Sequence, residues 1–321
     1  MSVFSKLQPV FIILSAFAGV LAGKIDANAA GNAAGLIEIF LMSMLFFTFL
    51  GVDIKEISKS FMDLRFSVSA LAINFLWTPV FAFLAGKIFL SGQAGLQIGF
   101  IMLMVTPCTD WYLVFTGLAN GNVTLGASVL PLNLILQIVL MPVYLLVFMG
   151  QAVAFDIMAI TRSIILVLAV PLVSAPVVKV AAKKTGKMNF FRKVLKEADN
   201  IQFILLCCAI VAMFASQGAA LTANMAVFVR LLPPLIVFFV TNFFLSFGAG
   251  RALKMAFMDI IPLVFTTSAR NSPVSLAIAV MAFPAEPLIY LALVAGPLIE
   301  LPVLALYSVI LKKMHSGSVS A

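Results

Sequence analysis

Long apolar runs separated by short polar segments follow one another along the whole chain. Ten runs can be delimited, at roughly 7–23, 36–52, 66–90, 96–118, 124–149, 163–181, 200–216, 225–248, 257–283 and 287–311. A helix needs about 20 residues to cross the hydrocarbon core of a bilayer. The pattern therefore predicts an all-α polytopic membrane protein with ten transmembrane helices, numbered here as spans 1 to 10.

Composition supports the lipid bilayer as the surrounding medium. Of the 321 residues, 63% are hydrophobic and only 10% are charged. A soluble domain has about half its residues apolar and about a quarter charged. The three cysteines lie inside apolar runs and the chain has a single histidine. These counts favour neither a disulfide framework nor a histidine-based metal site.

Basic residues predict the orientation of the spans. The net charge is +8, but the basic residues lie between the spans, which argues against nucleic acid as a partner. With a cytoplasmic N-terminus, fifteen lysines and arginines face the cytoplasm and four face the other side. We therefore predict a bacterial-type inner (plasma) membrane protein with both termini cytoplasmic. We interpret the basic segment from Lys179 to Lys196 as a loop that orients the protein, in preference to a lipid-binding patch.

Matched proline dipeptides suggest two halves. Thr106-Pro107 in span 4 and Ser272-Pro273 in span 9 are 166 residues apart, and Pro131-Leu132 and Pro297-Leu298 share that spacing. The pattern predicts a first repeat over 1–150 and a second over 163–313, each with five spans. Five is an odd number, so the second repeat is inverted in the membrane. Inverted repeats with broken helices are typical of secondary transporters, whose binding site lies between the breaks.

Span 4 carries the first polar cluster, from Thr106 to Asp110. Pro107 removes a backbone donor and disfavours helix in the residue before it. A threonine cap followed by proline at the first helical position would restart the helix. Irregular backbone at membrane depth must be enclosed by protein or line a cavity. Asp110 is a functional candidate there, or else a paired structural carboxylate or a residue near the interface.

Span 9 has a second polar cluster, from Thr266 to Pro273, which again ends in a possible cap residue followed by proline. Arg270 is the only basic residue well inside a span. A guanidinium buried without a partner would be costly, so we expect a carboxylate or an anionic ligand beside it. Asp110 is the natural partner if the two breaks cross. The pair would then serve function or simply hold the crossing together.

Glu300 and Cys108 complete the candidates. Glu300 lies among apolar residues in span 10, and is either a proton carrier or a hydrogen-bonded structural residue. Cys108 lies at the break in span 4, as a reactive thiol or a packing residue. Cys207 and Cys208 are interpreted as packing residues. Four amides inside the spans suit interhelical hydrogen bonds as well as substrate contact: Asn74, Asn133, Gln137 and Asn242.

The sequence carries none of the common enzyme signatures. It contains no glycine-rich phosphate loop, no histidine metal site and no nucleophile elbow. We therefore predict neither an enzyme nor a cofactor. Uphill transport would use an ion gradient, unless a partner protein supplies the energy.

Three short motifs resemble the bile acid/arsenite/riboflavin transporter superfamily, and within it the yeast-type arsenical-resistance permeases. Cys108 precedes Leu118-Ala119-Asn120-Gly121-Asn122, similar to the L-A-x-G-D stretch that follows a cysteine in those permeases. Leu276-Ala277-Ile278-Ala279-Val280 follows the break in span 9. Gly296-Pro297-Leu298-Ile299-Glu300-Leu301-Pro302-Val303 is similar to the family's G-P-L-V-E-V-P-V.

The resemblance implies ten spans in inverted repeats, with spans 4 and 9 broken and crossing. It implies a core domain of spans 3–5 and 8–10 and a panel domain of spans 1, 2, 6 and 7. It also implies export of arsenite or antimonite with Cys108 as the ligand, since arsenite is mainly neutral at neutral pH and has high affinity for thiols. The polar contacts would be Thr109, Asn271 and Ser272. Asp110 and Arg270 would set the charge, and Glu300 would carry a proton.

Two positions depart from the family patterns. Ser275 stands where the permeases have a glutamate before L-A-I-A-V. The sodium/bile-acid branch has E-x-x-x-Q-N-S in span 9. Alignment on Asn271-Ser272 places Thr266 at its sodium-binding glutamate and Arg270 at its glutamine. A fixed guanidinium would repel sodium, so we expect coupling to protons or to the membrane potential and not to sodium.

Two other functions remain open. In an organic-anion transporter of the bile-acid type, Arg270 would receive a carboxylate or sulfonate and Cys108 would be a packing residue. A non-transporting receptor or scaffold would use the basic segment to dock a partner. Polar breaks in both halves argue against a scaffold, because it has no reason to bear their cost.

Overall fold

The computed structural model describes residues 63–108, 111–149, 157–186, 188–223, 225–283 and 286–319, with scattered helical positions between 11 and 50. Spans 1 and 2 are therefore described only in part. The described α-helices are α1 (Leu64–Ala72), α2 (Thr78–Phe89), α3 (Ala94–Met104), α4 (Trp111–Leu118), α5 (Val123–Ser128), α6 (Leu130–Met149), α7 (Ile157–Lys184), α8 (Met188–Lys196), α9 (Ala198–Ala223), α10 (Met225–Ala252), α11 (Phe257–Ser268), α12 (Ser272–Ala282) and α13 (Pro287–Val319). A π-helix, Ile73–Trp77, joins α1 to α2.

The length and apolar character of these helices suit a membrane. In the described part of the chain, four helical segments are long and apolar enough to cross a bilayer, namely Leu64–Phe89, Val123–Phe148, Val229–Ala252 and Pro287–His315. The bent pair Asn189–Lys196 and Asn200–Ser216 would be a fifth. An all-helical polytopic membrane protein is therefore the architecture. The ten spans and the inverted repeats remain predictions.

Polar and apolar side chains are distributed as a bilayer requires. Leu76, Val147 and Phe244 are largely exposed, whereas the amides Asn74 and Asn133 are completely buried. Hydrocarbon accepts apolar side chains, while polar groups inside a membrane need partners within the protein. Contact with lipid thus explains why apolar side chains are exposed, while the polar side chains Asn74 and Asn133 lie in the interior.

The chain divides into two compact units. The first comprises Met1–Val52, Phe155–Met225 and Pro273–Val294, and the second comprises Asp53–Ala154, Ala226–Ser272 and Ala295–Ala321. The second unit contains α1 to α6, α10 and α11, and most of α13. The assignment of spans to core and panel domains stays a prediction, as do the repeats over 1–150 and 163–313.

The expected basic loop from Lys179 to Lys196 is wrong for most of its length. In the first unit, α7 continues to Lys184 and α8 occupies Met188–Lys196. A turn at Gly186, with φ of +69°, separates them. Lysine and arginine are good helix formers, and α8 buries Phe191 while Arg192 and Lys193 are exposed. An amphipathic helix therefore replaces the loop.

The π-helix in span 3 turns Asn74 towards the interior of the second unit. A π-turn disrupts the regular backbone ladder and leaves carbonyl groups to be satisfied otherwise. The hydroxyl of Thr78 donates to the Ile73 carbonyl at 2.8 Å, and that of Tyr144 donates to the Phe75 carbonyl at 2.6 Å. The side chain of Asn74 is completely buried. Hydrogen bonds from Thr78 and from Tyr144 thus stabilise the irregular turn.

The segment Leu118–Asn122 makes a tight crossing against α11. Asn120 has a φ of 61°, and a Cβ atom at Gly121 would lie 2.5 Å from the Ile261 side chain. Glycine is therefore required for this approach. The amide oxygen of Asn122 accepts from the Leu125 N–H at 3.0 Å and caps α5.

The NH2 group of the Asn122 side chain explains why this chain has asparagine where the permeases that it resembles have aspartate. Its Nδ2 donates to Oδ1 of Asp259 at 2.8 Å. An aspartate at position 122 would still cap α5, but would set two carboxylates against each other.

We expect Asn122→Asp to lower the melting temperature of the purified protein, because it replaces a hydrogen bond by repulsion between like charges. Asp259→Asn in the same chain should restore most of the loss by reversing donor and acceptor. Thermal unfolding of the wild type, both single variants and the double variant measures the coupling. Additive losses in the double variant would show that the pair does not interact.

Candidate functional site

The helix interruptions in spans 4 and 9 lie side by side in the second unit. α3 ends at Met104 and α11 ends at Ser268. The chain after each forms one antiparallel bridge, between Pro107 and Arg270. The Cys108 N–H donates to the Ala269 carbonyl at 2.9 Å, and the Asn271 N–H donates to the Thr106 carbonyl at 2.6 Å. Each interruption thus satisfies backbone groups that would otherwise be unpaired at membrane depth.

Thr106 and Pro107 act differently from the cap that the sequence suggested. The Thr106 hydroxyl donates to the carbonyls of Met102 and Leu103, at 2.9 and 3.0 Å. It therefore closes the end of α3 and does not start the next helix. Pro107 lies in the extended bridge, Cys108 is not helical either, and the next described residue is Trp111 in α4. The expected arrangement of an N-cap followed by proline at the first helical position is wrong in span 4.

Span 9 restarts immediately after its bridge. α12 begins at Ser272, with Pro273 in its first turn, where the missing proline N–H has no helical partner to lose. Asn271 and Ser272 are buried beside the bridge. Thr109 and Asp110 lie outside the described residues, so their roles, and a pairing of Asp110 with Arg270, remain predictions.

The guanidinium of Arg270 is enclosed by oxygen atoms of the protein. The residue is 2% exposed. Nη1 donates to the Met104 carbonyl at 2.7 Å, and Nη2 donates to Oδ1 of Asn74 at 2.9 Å and to the Thr267 carbonyl. Nε donates to the Ser268 carbonyl at 3.4 Å. Neutral oxygens therefore solvate this charge inside the protein.

A carboxylate from span 10 lies next to the same bridge. Oε1 of Glu300 accepts from the backbone N–H of Arg270 at 3.1 Å, and Glu300 is 3% exposed. Among the side chains whose burial the structure describes, Arg270 and Glu300 are the only buried charged ones. The sequence had named Glu300 as a candidate without placing it beside Arg270, because nothing local connects positions 270 and 300.

Gly296 permits this close packing. A Cβ atom there would lie 2.7 Å from the Leu103 side chain, next to the residue whose carbonyl holds Arg270. The glycine of the G-P-L-I-E-L-P-V motif therefore allows α13 to approach the end of α3, and Glu300 follows one turn later.

Amides extend the network on one side of Arg270. Nδ2 of Asn74 donates to the Thr266 carbonyl at 3.3 Å, and Nδ2 of Asn133 donates to the Thr266 hydroxyl at 3.1 Å. Asn74 therefore bridges the guanidinium and α11. Hydrogen bonds between helices account for both asparagines, which the sequence had left open between packing and substrate contact.

A second branch reaches α10. Nδ2 of Asn242 donates to the Thr267 carbonyl at 2.7 Å, and its Oδ1 accepts from the Trp77 indole at 3.0 Å. The hydroxyls of Ser246 and Thr267 lie 2.6 Å apart. Trp77 and Ser246 were missed from the sequence, since an isolated tryptophan or serine in an apolar run carries no specific signal. Gln137, fully buried one turn after Asn133, has no hydrogen-bond partner in the described part of the chain.

Cys108 supplies the sulfur atom at this junction. It is 2% exposed, and its backbone N–H bonds the carbonyl of Ala269, the residue before Arg270. Cys207 and Cys208 lie in the first unit, and no disulfide joins any of the three. The described residues contain no group of three or more metal-ligating side chains. A single thiol with surrounding oxygens is therefore the chemistry that the described junction offers a solute.

Membrane-crossing helices and two helix interruptions enclosed by protein define a membrane transporter of the broken-helix class. Residues 38–224, more than half of the chain, match the model of the sodium bile acid symporter family. The chain belongs to this family.

Individual relatives agree with the family resemblance. The chain is 25% identical to the arsenical-resistance protein Acr3 of Corynebacterium glutamicum, over 94% of this chain and 87% of that protein. It is 24% identical to Acr3 of Alkaliphilus metalliredigens, over 64% of this chain and 58% of that protein. It is 23% identical to an uncharacterized transporter of Synechocystis, over 98% of this chain and 89% of that protein. The predicted resemblance to the arsenical-resistance branch is confirmed, and the chain is a secondary transporter of the membrane and not an enzyme.

Proposed function

We propose that this transporter exports arsenite or antimonite from the cytoplasm across the inner membrane. The observation that carries the proposal is a buried thiol, Cys108, at the junction of two interrupted helices. The similarity of nearly the whole chain to an arsenical-resistance protein supports the same conclusion.

Cys108 is the arsenic(III) ligand in this mechanism, and Thr109, Asn271 and Ser272 are its polar contacts. A soft thiolate favours a soft metalloid centre over hard cations. One sulfur with a few oxygens binds the solute weakly enough to release it, which transport requires. Asn271 and Ser272 are buried next to the bridge that contains Cys108, which supports their inclusion.

The proposal includes the topology expected from the sequence. Ten spans form two inverted repeats, with spans 3–5 and 8–10 in the core domain and spans 1, 2, 6 and 7 in the panel domain. Both termini are cytoplasmic. The paired interruptions support this arrangement, since alternating access in such transporters takes place around a site between broken helices.

Coupling follows from the charges near the thiol. Arg270 supplies a permanent positive charge, so sodium is not the coupling ion. Either Glu300, buried beside it, or Asp110 carries a proton during the cycle, or the membrane potential drives export. The hydrogen bond between Glu300 and the Arg270 N–H supports a link between the proton site and the bridge.

An organic anion is the second candidate solute, favoured by the name of the matching family. In that mechanism the guanidinium of Arg270 would bind the anion. Its donors, however, are directed at Met104, Asn74, Thr267 and Ser268. An anion would have to displace these oxygens, so the second candidate ranks below arsenite.

Everted membrane vesicles provide the test. Vesicles with the wild type should accumulate arsenite above vesicles from cells with an empty vector. Replacing sodium by choline should leave the rate unchanged, and a protonophore should abolish accumulation, because protons or the potential drive it. The Glu300→Gln variant should lose the response to an imposed pH gradient. Accumulation equal to the empty vector, with the protein present in the membrane, would refute arsenite export.

A further inference from the structure

The short helix α8 of the first unit separates its charged and apolar side chains completely. At about 100° per residue, all its polar side chains fall on one side and all its apolar side chains on the other. Phe191 is buried, and α8 packs against α7 and α9. Phe190, in contrast, is 70% exposed, at the edge of the apolar side next to Lys193. A large aromatic ring is thus uncovered beside a row of positive charges.

The side chains of α7 locate the membrane surface near this helix. Residues 163–178 carry no charge, and as a helix they extend over about 24 Å, most of the hydrocarbon thickness of about 30 Å. Val177 and Val180 are exposed, as expected for contact with lipid. Lys179 therefore lies near the boundary of the hydrocarbon, and α8 follows shortly after it, beyond the turn at Gly186.

The direction of α8 agrees with a position along that surface. The segment Asn189–Lys196 is bent by 54° from Asn200–Ser216, the apolar part of α9. If α9 crosses the bilayer, a helix inclined in this way turns towards the plane of the membrane. Phe190 and the basic side chains of α8 then lie at the depth of the lipid headgroups.

The positive charges around α8 have no counterpart in the neighbouring sequence. No aspartate or glutamate occurs from 157 to 196. Two pairs of basic residues lie four positions apart on one helix, where like charges repel. All the basic side chains that the structure describes in this segment are exposed, namely Lys179, Lys183, Lys184, Arg192, Lys193 and Lys196. Anions from outside the segment would relieve this repulsion.

Phospholipid headgroups supply such anions at the membrane surface. Helices with a basic side and an aromatic or aliphatic side lie in the bilayer interface, and anionic lipids attract them. We propose that α8 and the last turns of α7 form a binding surface for anionic phospholipid headgroups, with Phe190 inserted among the acyl chains. The membrane is favoured over an acidic protein as the partner, because the exposed valines of α7 already place lipid beside this surface.

This surface has a role besides orienting the chain and is independent of the transported solute. Orientation and headgroup binding are compatible, since both depend on basic residues near the membrane surface. Bound headgroups would stabilise the turn between α7 and α9 by compensating the charges on both sides of Gly186. Stability in defined lipids therefore tests the proposal without any transport measurement.

Thermal unfolding of the purified full-length protein in mixed micelles gives the first test. Phosphatidylglycerol and phosphatidylcholine are compared at equal total lipid. The wild type should melt several degrees higher in phosphatidylglycerol, because a ligand that binds the folded state stabilises it. The variant Arg192→Gln/Lys193→Gln/Lys196→Gln should lose most of this difference. Glutamine keeps a high helix propensity, so α8 should persist.

A second triple variant controls for net charge. Lys254→Gln/Lys312→Gln/Lys313→Gln removes the same amount of positive charge from exposed positions outside α7 and α8. It should keep the melting difference of the wild type. A response to net charge alone would decrease equally in both triple variants.

Fluorescence in vesicles tests the position of Phe190 separately. A Phe190→Trp variant, reconstituted in phosphatidylglycerol with brominated acyl chains, should be quenched beyond the signal of the wild type and its two native tryptophans. Asn189→Trp is the matched control, because Asn189 is exposed on the polar side of the same helix. Its additional fluorescence should be quenched little.

Equal melting of the wild type in both lipids would overturn the proposal, as would equal losses in the two triple variants. Equal quenching in the Phe190→Trp and Asn189→Trp variants would also overturn it. The surface would then face water and suit an acidic protein partner. The fluorescence result decides the question even if the triple variant of α8 fails to fold. None of these outcomes bears on arsenite transport in vesicles, so the two proposals fail independently.

Discussion

Cys108→Ser should abolish arsenite export and raise arsenite accumulation in sensitive bacterial cells to the level of an empty vector. Serine is nearly the same size as cysteine, so the bridge between the two interrupted helices should persist. Its hydroxyl, however, is a hard group and a poor ligand for a soft metalloid. The measurement is intracellular arsenic after exposure, with the amount of transporter in the membrane determined for each strain.

The chain offers its own control for this experiment. Cys207 and Cys208 lie on α9 in the first unit, partly exposed and without a disulfide. The double variant Cys207→Ser/Cys208→Ser should export arsenite like the wild type. Full protection by Cys108→Ser would contradict the thiol mechanism, because arsenite would then be exported without its proposed ligand.

Asn74→Leu should be the most damaging single change in the hydrogen-bond network around Arg270. It removes the acceptor of one guanidinium N–H and the donor to the Thr266 carbonyl. Leaving such groups buried and unpaired costs about 3 kcal/mol, more than an ordinary buried hydrogen bond contributes, because one of them is charged. The melting temperature in detergent should fall by several degrees.

Asn200→Leu is the matched control for that substitution. Asn200 is exposed, and its amide bonds only the neighbouring Glu197 carboxylate, at 2.8 Å. Water can replace this bond, so the expected cost is below about 0.5 kcal/mol. Similar melting temperatures for the two leucine variants would mean that Asn74 does not hold Arg270 in the membrane-embedded protein.

The positions of the helix interruptions were foreseeable, whereas their capping was not. Proline at positions 107 and 273 acts locally, through the lost N–H and the steric restriction of the preceding residue. Both effects can be inferred from the sequence alone. The hydroxyl of Thr106 could bond either to the end of the preceding helix or to the start of the following one. It donates to carbonyls of the preceding helix. Pairing with the Asn271 N–H at 2.6 Å holds Thr106 in the extended bridge, a contact across 165 residues.

In the basic segment, the sequence-based prediction of a loop was wrong for a different reason. Charge density between Lys179 and Lys196 suggested a loop, because spans were delimited by apolar character alone. The lysines have high helix propensity, and Phe191 gives α8 one buried side, so helices α7 and α8 form there instead. A periodicity test over this short stretch would have found the amphipathic helix.

The membrane environment, most of the apolar helices and the candidate groups follow from the sequence alone. The hydropathy of the chain indicates a lipid environment, and in lipid a helix satisfies its own backbone groups. Proline interrupts such a helix where polar residues cluster. Each of these effects depends on neighbouring residues only. The tertiary structure decided which groups meet. It brings Asn74 and Met104 to Arg270 across 196 and 166 residues, and Glu300 across 30. No local rule specifies such contacts, because they arise from the packing of helices that are distant in the chain.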